Sequence, residues 1–329
     1  MRVTSSMLSN NFLYDLGNNL ESMSVYQRQM SSGTLINKAS DDPLGASRVM
    51  QINNEMIKNK QYTTNINNAN QWLSVTDTSL GQIGSVLQRI NELLVSTGDP
   101  TYGDAQRQAI KEEINSNINQ ISQILNTTYD GKYVFGGNRG TDKPTLVTTD
   151  ATSKNQQLSY ASKDGVTKMP VGATPTADET NQLGMIKSKL STEISDGVSV
   201  NYNFTASDVM EFRNDAGVSK DLRTILNNIT THLDSGDVSS LTGSDLSDIK
   251  DAIGNASGIR TEVGALENRM KSASSQNEIE ISSLTQVLAS TNDVDYAQVT
   301  MQYSQAQTTY LASLQTSAKI LQHTLIDYL

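Results

Sequence analysis

Residues 66–94 read INNANQWLSVTDTSLGQIGSVLQRINELL. An isoleucine or leucine recurs every seven residues in this stretch, at Ile66, Leu73, Leu80, Leu87 and Leu94. A seven-residue repeat of apolar side chains is typical of a helix that packs lengthwise along another helix, as in a coiled coil. The stretch therefore predicts a long helix with one buried face.

This helix is predicted to begin at Asp42 and Pro43. Asp42 is a suitable N-cap, and Pro43 fits the first helical position because its missing N–H would have no partner there. No further proline follows until Pro100, so the helix is expected to continue to about Ser96. Roughly fifty residues is far above the mean for globular proteins and indicates a rod.

Helical periodicity also occupies both ends of the chain. A first helix is predicted from about Thr4 to Met30, and a third from about Asp104 to Thr128. After the middle of the sequence, a helix is expected from Ser244, taken as its N-cap. A row of apolar residues along one face of this helix, called a seam below, continues to Leu288. The last helix is predicted from about Asp295 to Leu329.

The middle of the sequence has a different character. From about Gly136 to Phe204 it is rich in Gly, Thr and Pro with short alternating runs. The clearest predicted strand is 198–204, which would place Val198, Val200, Tyr202 and Phe204 on one face. Asp196-Gly197 before it is a hairpin signal.

The predicted fold class is mainly α with a β-rich insert, in an elongated, multi-domain chain with a coiled-coil-like rod. The expected domains are terminal helices (1–43 with 290–329), a helical rod (44–140 with 241–289) and an outer insert (141–240). Helices at the two ends of the chain need packing partners, and the simplest arrangement is that they pack against each other.

The terminal seams are the candidate functional site. Two narrow helices have too little core to hold themselves together, so we expect other subunits to complete them. The alternative is an ordinary intramolecular bundle whose seams are only core. The candidate subunit-interface residues are Leu13, Leu16, Leu20, Met23, Met30, Leu311, Leu314, Ala318, Leu321 and Leu325.

Composition narrows the function further. The net charge is −10 and no two Lys or Arg residues are adjacent, which argues against a nucleic-acid surface. No apolar run approaches the roughly 18 residues of a membrane span, and residues 1–11 lack a secretory signal pattern. Apolar residues make up only 36% and charged residues 18%, which suits thin helix packing completed by neighbouring copies.

No catalytic, cofactor-binding or metal site is predicted. The chain has no cysteine and only two histidines, so thiol chemistry is excluded and a histidine relay is unexpected. Asp41 with Asp42 could be paired carboxylates, and Asp293 with Asp295 could ligate a cation, but a helix cap at Asp42 and a turn with a cap at 293–295 are the better explanations. The glycine-rich 136–140 lacks phosphate-loop spacing and is predicted as a turn. Trp72 is expected to be a core or subunit contact.

Four segments resemble bacterial flagellins. Residues 31–43 (SSGTLINKASDDP) are similar to the N-terminal flagellin signature, and 87–93 (LQRINEL) to a second stretch. Residues 264–270 (GALENRM) and 293–297 (DVDYA) resemble the C-terminal regions. The likeness covers about 1–140 and 241–329. Residues 130–144 and the final helix depart from the filament subunit and resemble the junction proteins of the flagellin superfamily.

The resemblance implies a structural adaptor between hook and filament. Its implied partners are further copies in a ring, the preceding hook-associated junction protein, flagellin, and a cytoplasmic export chaperone that binds the C-terminal helical region. It implies secretion through the flagellar export channel without a cleavable signal. No cofactor is implied.

Two alternatives remain at this stage. One is flagellin itself, the filament subunit. The other is a secreted protein whose insert binds carbohydrate or carries a catalytic site, which would require a concave pocket lined by aromatic or carboxylate side chains. Tyr160, Tyr202 and Phe204 are too few in the insert to predict such a pocket.

Overall fold

The computed structural model describes residues 5–99, 102–169, 176–214 and 216–322. Its helices are α1 (Ser5–Ser32), α2 (Pro43–Thr97), α3 (Asp104–Leu125), α4 (Ala177–Lys187), α5 (Ala206–Met210), α6 (Leu222–Ser235), α7 (Val238–Ser240), α8 (Leu246–Asn292) and α9 (Tyr296–Gln322), with a π-helical turn at Leu241–Asp245. The strands are β1 (Thr128–Tyr129), β2 (Lys132–Tyr133), β3 (Thr145–Thr149), β4 (Gln156–Tyr160), β5 (Ser191–Ser195), β6 (Val198–Asn201), β7 (Glu211–Arg213) and β8 (Ser219–Asp221). The predicted class, mainly α with strands in the middle, is confirmed.

The strands form four separate antiparallel hairpins among the described residues. Each strand pairs with the next one along the chain: β1 with β2, β3 with β4, β5 with β6, and β7 with β8. Pairs of this kind are only marginally stable alone, so they depend on the helices that they contact. Strand β4, for example, contacts both α3 and α6.

The predicted start of α2 is confirmed. The helix begins at Pro43, and the carboxylate of Asp42 accepts a hydrogen bond from the backbone N–H of Leu44 at 3.1 Å. The preceding helix, α1, ends before Gly33, whose φ of 72° is the left-handed conformation that commonly closes helices. Local sequence signals therefore define this helix–loop–helix boundary.

The predicted N-cap at Ser244 is wrong. Helical structure already begins at Val238, because the carboxylate of Asp237 caps it by accepting from the N–H of Ser240 at 3.2 Å. Ser244 lies within the π-helical turn, where its hydroxyl donates to the carbonyl oxygen of Ser240 at 3.3 Å. An earlier aspartate thus takes the capping role that the sequence suggested for the serine.

The predicted strand 198–204 is too long. The turn at Gly197 is confirmed, with φ at 70°, but β6 ends at Asn201. Beyond it, the side chain of Asn203 accepts from the N–H of Leu190 at 2.6 Å, replacing a backbone ladder bond. Val198 is 40% exposed, so it does not share the buried environment of Val200.

The chain divides into two compact units, 61–277 and 1–60 with 278–329. The unit formed by 61–277 contains the main apolar core. All five members of the repeat from Ile66 to Leu94 are at most 2% exposed. On α3 and α8, further fully buried side chains of this unit include Ile114, Ile118, Ile121, Leu125, Ile249, Val263 and Met270.

In the unit formed by the two ends of the chain, α1 lies against α9. The loop after α1 runs antiparallel to the loop between α8 and α9, with a bridge between Thr34 and Asp293. The N–H of Val294 donates to the carbonyl oxygen of Gly33 at 3.2 Å. These contacts bring the first and last helices of the described chain side by side.

Candidate functional site: the outer face of the terminal helix pair

The helix pair of α1 and α9 has almost no buried side chains. Among the described side chains of α1, none is buried, although the helix has 28 residues. Among those of α9, only Val299 is buried, at 5% exposure. In the other unit, by contrast, Leu73 and Leu80 on α2 are completely buried. The pair therefore contributes little hydrophobic stabilisation of its own.

A seam between the two helices can be traced from the half-buried positions. On α1 they include Ser9, Phe12, Leu16, Asn19, Met23, Tyr26 and Met30. On α9 they follow Val299 at Tyr303, Ala306, Tyr310, Ser313 and Ser317. Both sets alternate spacings of three and four, as coiled-coil contacts do. At one end of the seam, the hydroxyl of Thr300 lies 3.8 Å from the sulfur of Met30.

The seam is weak because many of its positions are small or polar. Little apolar area is available at four of them: Ser9, Asn19, Ser313 and Ser317. Because each Å² of buried apolar area stabilises a structure by about 25 cal/mol, these positions contribute little to the stability of the pair. An isolated helix needs tertiary contacts along an apolar face to be stable in water. Further contacts outside this seam would stabilise the helix pair.

The predicted interface residues fall on two faces of α1. Leu16, Met23 and Met30 lie in the seam with α9, whereas Leu13 and Leu20 are 59% and 45% exposed. The interface prediction thus joins residues with different surroundings, and it remains a prediction.

On α9, Leu311 and Leu314 are 53% and 40% exposed, so they also lie outside the seam. Ala318 and Leu321 belong to the described part of this helix, whereas Leu325 lies outside the described residues.

The outer face of the pair is the set of exposed apolar side chains on α1 and α9. On α1, Leu13 and Leu20 are one heptad apart, and Met7 and Tyr14 form a second row at 57% and 71% exposure. On α9 the exposed apolar residues include Met301, Leu311 and Leu314. Single exposed leucines are normal, but two exposed apolar rows on α1, with further exposed apolar side chains on α9, are the arrangement that the predicted contact surface requires.

Helix α9 also lacks the charges of a typical solvated helix. No Asp, Glu, Lys, Arg or His occurs from Tyr296 to Ala318, and Lys319 is the first charged residue. Helices that face water usually carry charged side chains on that side. The absence of charge favours burial of this helix against further protein.

The carboxylates weighed in the sequence are structural. Asp41 accepts from the N–H of Lys38 at 2.9 Å, and Asp295 caps α9 by accepting from the N–H of Ala297 at 2.9 Å. Within the described ranges, no cluster of three or more His, Cys, Asp or Glu side chains is arranged to hold a metal ion. Over the same ranges, no helix is long and apolar enough to span a membrane.

The glycine-rich turn at 136–140 holds a buried cation. Arg139 is only 5% exposed, and burial lowers the pKa of its guanidinium. The guanidinium donates to the carbonyl oxygens of Lys143 at 2.6 Å and Ala161 at 2.8 Å. This turn anchors the start of the insert, consistent with its prediction as a turn.

An aromatic cleft in the 61–277 unit was missed by the sequence reasoning. Trp72 on α2 packs edge-to-face against Tyr129 and Tyr202, with ring centroids 6.1 Å and 5.9 Å away. These rings line a cavity of about 280 Å³. The available signal was the spacing of Asn65, Asn68 and Trp72 on one helical face, but Tyr129 and Tyr202 are distant in sequence.

Comparison with known proteins places the chain among flagellar proteins. Residues 3–139 match the bacterial flagellin N-terminal helical region, and residues 246–329 match the flagellin C-terminal helical region. The chain therefore belongs to the flagellin family. These matches cover the helical parts and leave the insert outside them.

Within this family, the chain is similar to flagellar hook-associated protein 3. It is 28% identical to that protein of Escherichia coli K12 over 138 residues, covering 42% of this chain and 44% of the relative. The crystal structure of hook-associated protein 3 from Legionella pneumophila has the same fold, with a TM-score of 0.57 at 12% identity, covering 74% of this chain and 98% of the other.

A filament protein matches as well. The flagellar filament 41 kDa core protein of Borreliella burgdorferi is 35% identical over 108 residues, covering 33% of this chain and 32% of the relative. The matched region spans less than half the length of the E. coli relative and of the Borreliella relative.

Proposed function

We propose that this chain is a structural adaptor of the bacterial flagellum that joins the hook-side junction protein to the flagellin filament. The observation that carries the proposal is the helix pair of α1 and α9, which exposes rows of apolar side chains and buries almost none. Such a surface needs other subunits to cover it. The likeness to hook-associated protein 3 supports a junction role.

In the proposed assembly, copies of the chain form a ring. The terminal helices, 1–43 with 290–329, belong to an inner tube. The helical rod, 44–140 with 241–289, forms the next layer, and the insert, 141–240, faces outward. The function is mechanical: one set of contacts faces the hook side and another faces the filament.

The proposed route to this position is the flagellar export channel, through which the chain passes unfolded. A cytoplasmic chaperone is expected to cover the C-terminal helical region before export. The exposed Leu311 and Leu314, on a helix with almost no charge, are the kind of surface that needs such cover. The absence of cysteine is compatible with passage as an unfolded chain.

A pair of matched double variants tests the role of the outer face. Leu13→Gln with Leu20→Gln removes apolar area from exposed positions, and glutamine preserves helix propensity. The control, Asn11→Gln with Asn18→Gln, changes two exposed residues of the same helix with the same spacing.

The readout is electron microscopy of flagella and flagellin in the medium, in a strain whose own copy is deleted. The deletion and the leucine variant should both leave hooks without filaments and release unpolymerised flagellin. The control should restore filaments. Filaments of normal length and number with the leucine variant would show that this face is solvated and would refute the proposed contact.

Growth from seeds separates the adaptor from the alternative, a filament subunit. A filament subunit must repeat its own contacts without limit, whereas an adaptor should add a limited layer and stop. We expect the purified chain to add to flagellar seeds without elongating them. Long filaments made of this chain alone would favour flagellin and overturn the adaptor.

A further inference from the structure

The aromatic cleft defined by Trp72, Tyr129 and Tyr202 has no role in the proposed assembly contacts. Its walls come from α2, the β1–β2 hairpin and the end of the β5–β6 hairpin, all within the 61–277 unit. The outer face of the helix pair contributes nothing to it. An inference about the cleft therefore stands independently of the junction role.

Trp72, which lines the cleft, has an unsatisfied polar group. The indole Nε1 of Trp72 is buried and has no hydrogen-bond partner in the structure, and the whole side chain is only 6% exposed. An indole N–H can only donate, and leaving such a group unpaired costs about 1–3 kcal/mol. Because this nitrogen is closed to solvent, the ring of Trp72 rather than its N–H is the part that lines the cleft.

The polar rim identifies the class of ligand. Asp130 and Lys132 both line the cleft, so it favours neither a cation nor an anion. Asn68 and Thr192 add an amide and a hydroxyl, which can each donate and accept. A ligand that fits this rim is neutral and has several hydroxyl groups.

The aromatic walls and the volume complete the description. Aromatic faces carry partial negative charge and pack well against weakly positive C–H groups. At about 280 Å³, the cavity lies at the lower limit of ligand pockets, which span roughly 300–1,000 Å³. A pyranose ring has apolar C–H faces, a hydroxylated edge and a matching size.

We propose that this cleft binds a hexopyranose ring, with its C–H face against the aromatic walls and its hydroxyl groups toward Asn68, Asp130 and Thr192. The sugar can be free or the terminal residue of a glycan, because both present the same ring. The few aromatic residues of the insert alone did not predict carbohydrate binding. The proposal rests instead on the cleft, in which a tryptophan of α2 meets two tyrosines.

The single tryptophan of the chain is a built-in probe, since Trp72 is the only one. Its fluorescence is titrated in the full-length protein with glucose, galactose and N-acetylglucosamine in turn. Sorbitol, an open-chain polyol, controls for bulk solvent effects, and tetramethylammonium chloride tests an aromatic cation cage. Saturation-transfer NMR on the same sugars detects binding that leaves the emission unchanged.

A matched pair of variants locates the binding. Asn68→Ala removes one cleft amide, whereas Asn67→Ala makes the same change at the adjacent exposed position, outside the cleft lining. Both changes favour helix formation, so the fold should be retained. The loss of one hydrogen bond should weaken binding about two- to tenfold in the first variant and leave it unchanged in the second.

The expected result is a saturable signal with at least one hexopyranose, absent with sorbitol and weakened only by Asn68→Ala. Tighter binding of the corresponding disaccharide would indicate a glycan and equal binding a single ring, and either supports the site. The proposal is overturned if no sugar gives a signal by either method, if sorbitol acts equally, if only tetramethylammonium binds, or if the two variants behave alike.

Discussion

The backbone N–H of Leu35 donates to the carbonyl oxygen of Asn292 at 2.6 Å, and the next N–H, of Ile36, donates to the side-chain Oδ1 of the same asparagine at 3.1 Å. Asn292, at the end of α8, thus accepts hydrogen bonds from two successive amides, the second of them 256 positions away. Asn292 is only 9% exposed, so few water molecules compete for these bonds. Asn292 therefore links the segment after α1 to the end of α8.

Replacement of Asn292 by alanine should weaken this junction. The change leaves the N–H of Ile36 without its acceptor, at a cost of about 1–2 kcal/mol. The measurement is hydrogen exchange at the amide of Ile36, which should become roughly tenfold faster or more. Asp293→Ala, at the exposed neighbouring position, is the control and should leave that amide protected. Unchanged exchange in Asn292→Ala would show that the bond contributes nothing.

Two leucine truncations should differ sharply in their effect on monomer stability. Leu80 is fully buried, so Leu80→Ala should lower the free energy of unfolding by about 2–5 kcal/mol. Leu20 is 45% exposed, so Leu20→Ala should change it by less than about 0.5 kcal/mol. Urea unfolding at low protein concentration measures both. An equal cost would mean that the outer face is already covered in the isolated chain.

Two glycines with positive φ should respond differently to alanine. A Cβ at Gly165 meets open space, so Gly165→Ala should cost only the left-handed backbone penalty, about 1–2 kcal/mol. A Cβ at Gly137 would overlap the carbonyl oxygen of Ile186, so the backbone must shift, and the cost should be about 3 kcal/mol or more. Urea unfolding of both variants tests this order, and a reversed order would contradict the described packing.

The cap of α7 should contribute a stability that is lost in acid. The hydroxyl and then the backbone N–H of Ser240 hydrogen-bond the carboxylate of Asp237 and lower its pKa below the ordinary 3.8. A lowered pKa in the folded state means that the contribution is present above about pH 4 and disappears as the pH falls through the folded-state value.

Carboxyl-carbon NMR measures this titration directly. The midpoint for Asp237 should lie below 3.8, and Ser240→Ala should bring it back toward that value by removing the largest cause of the shift. Asp237→Asn should keep a cap, because asparagine also accepts at this position, and should remove this part of the acid dependence. An ordinary midpoint in the unmodified chain would disprove the capping argument.

Much of the helical framework could be predicted because its signals are local and repeated. The heptads of α2, Asp42 with Pro43, and the turn at Gly197 lie where short-range rules place them. The seam between α1 and α9 could not be derived from hydrophobicity, since Ser9 and Asn19 occupy seam positions that coiled coils usually fill with apolar residues. The leucine and methionine pattern of the sequence includes residues of both the outer face and the seam, and it does not distinguish the two.

The remaining errors have other physical causes. Ser244 has the side chain of a cap, but Asp237 stands earlier in the chain and begins the helix first. The strand at 198–201 stops because Asn203 supplies side-chain bonds where a backbone ladder would continue. The aromatic cleft depends on the meeting of Trp72 with Tyr129 and Tyr202, which only tertiary structure defines.

The uncharged stretch of α9 has a consequence for the conditions under which the chain can associate. Ionic strength acts on contacts between exposed charges through screening, with a Debye length of about 8 Å in physiological salt. From Tyr296 to Ala318 there is no charge to screen. Contacts made through this helix should therefore hold equally in dilute and in saline surroundings, while strongly salting-out ions such as sulfate should tighten them.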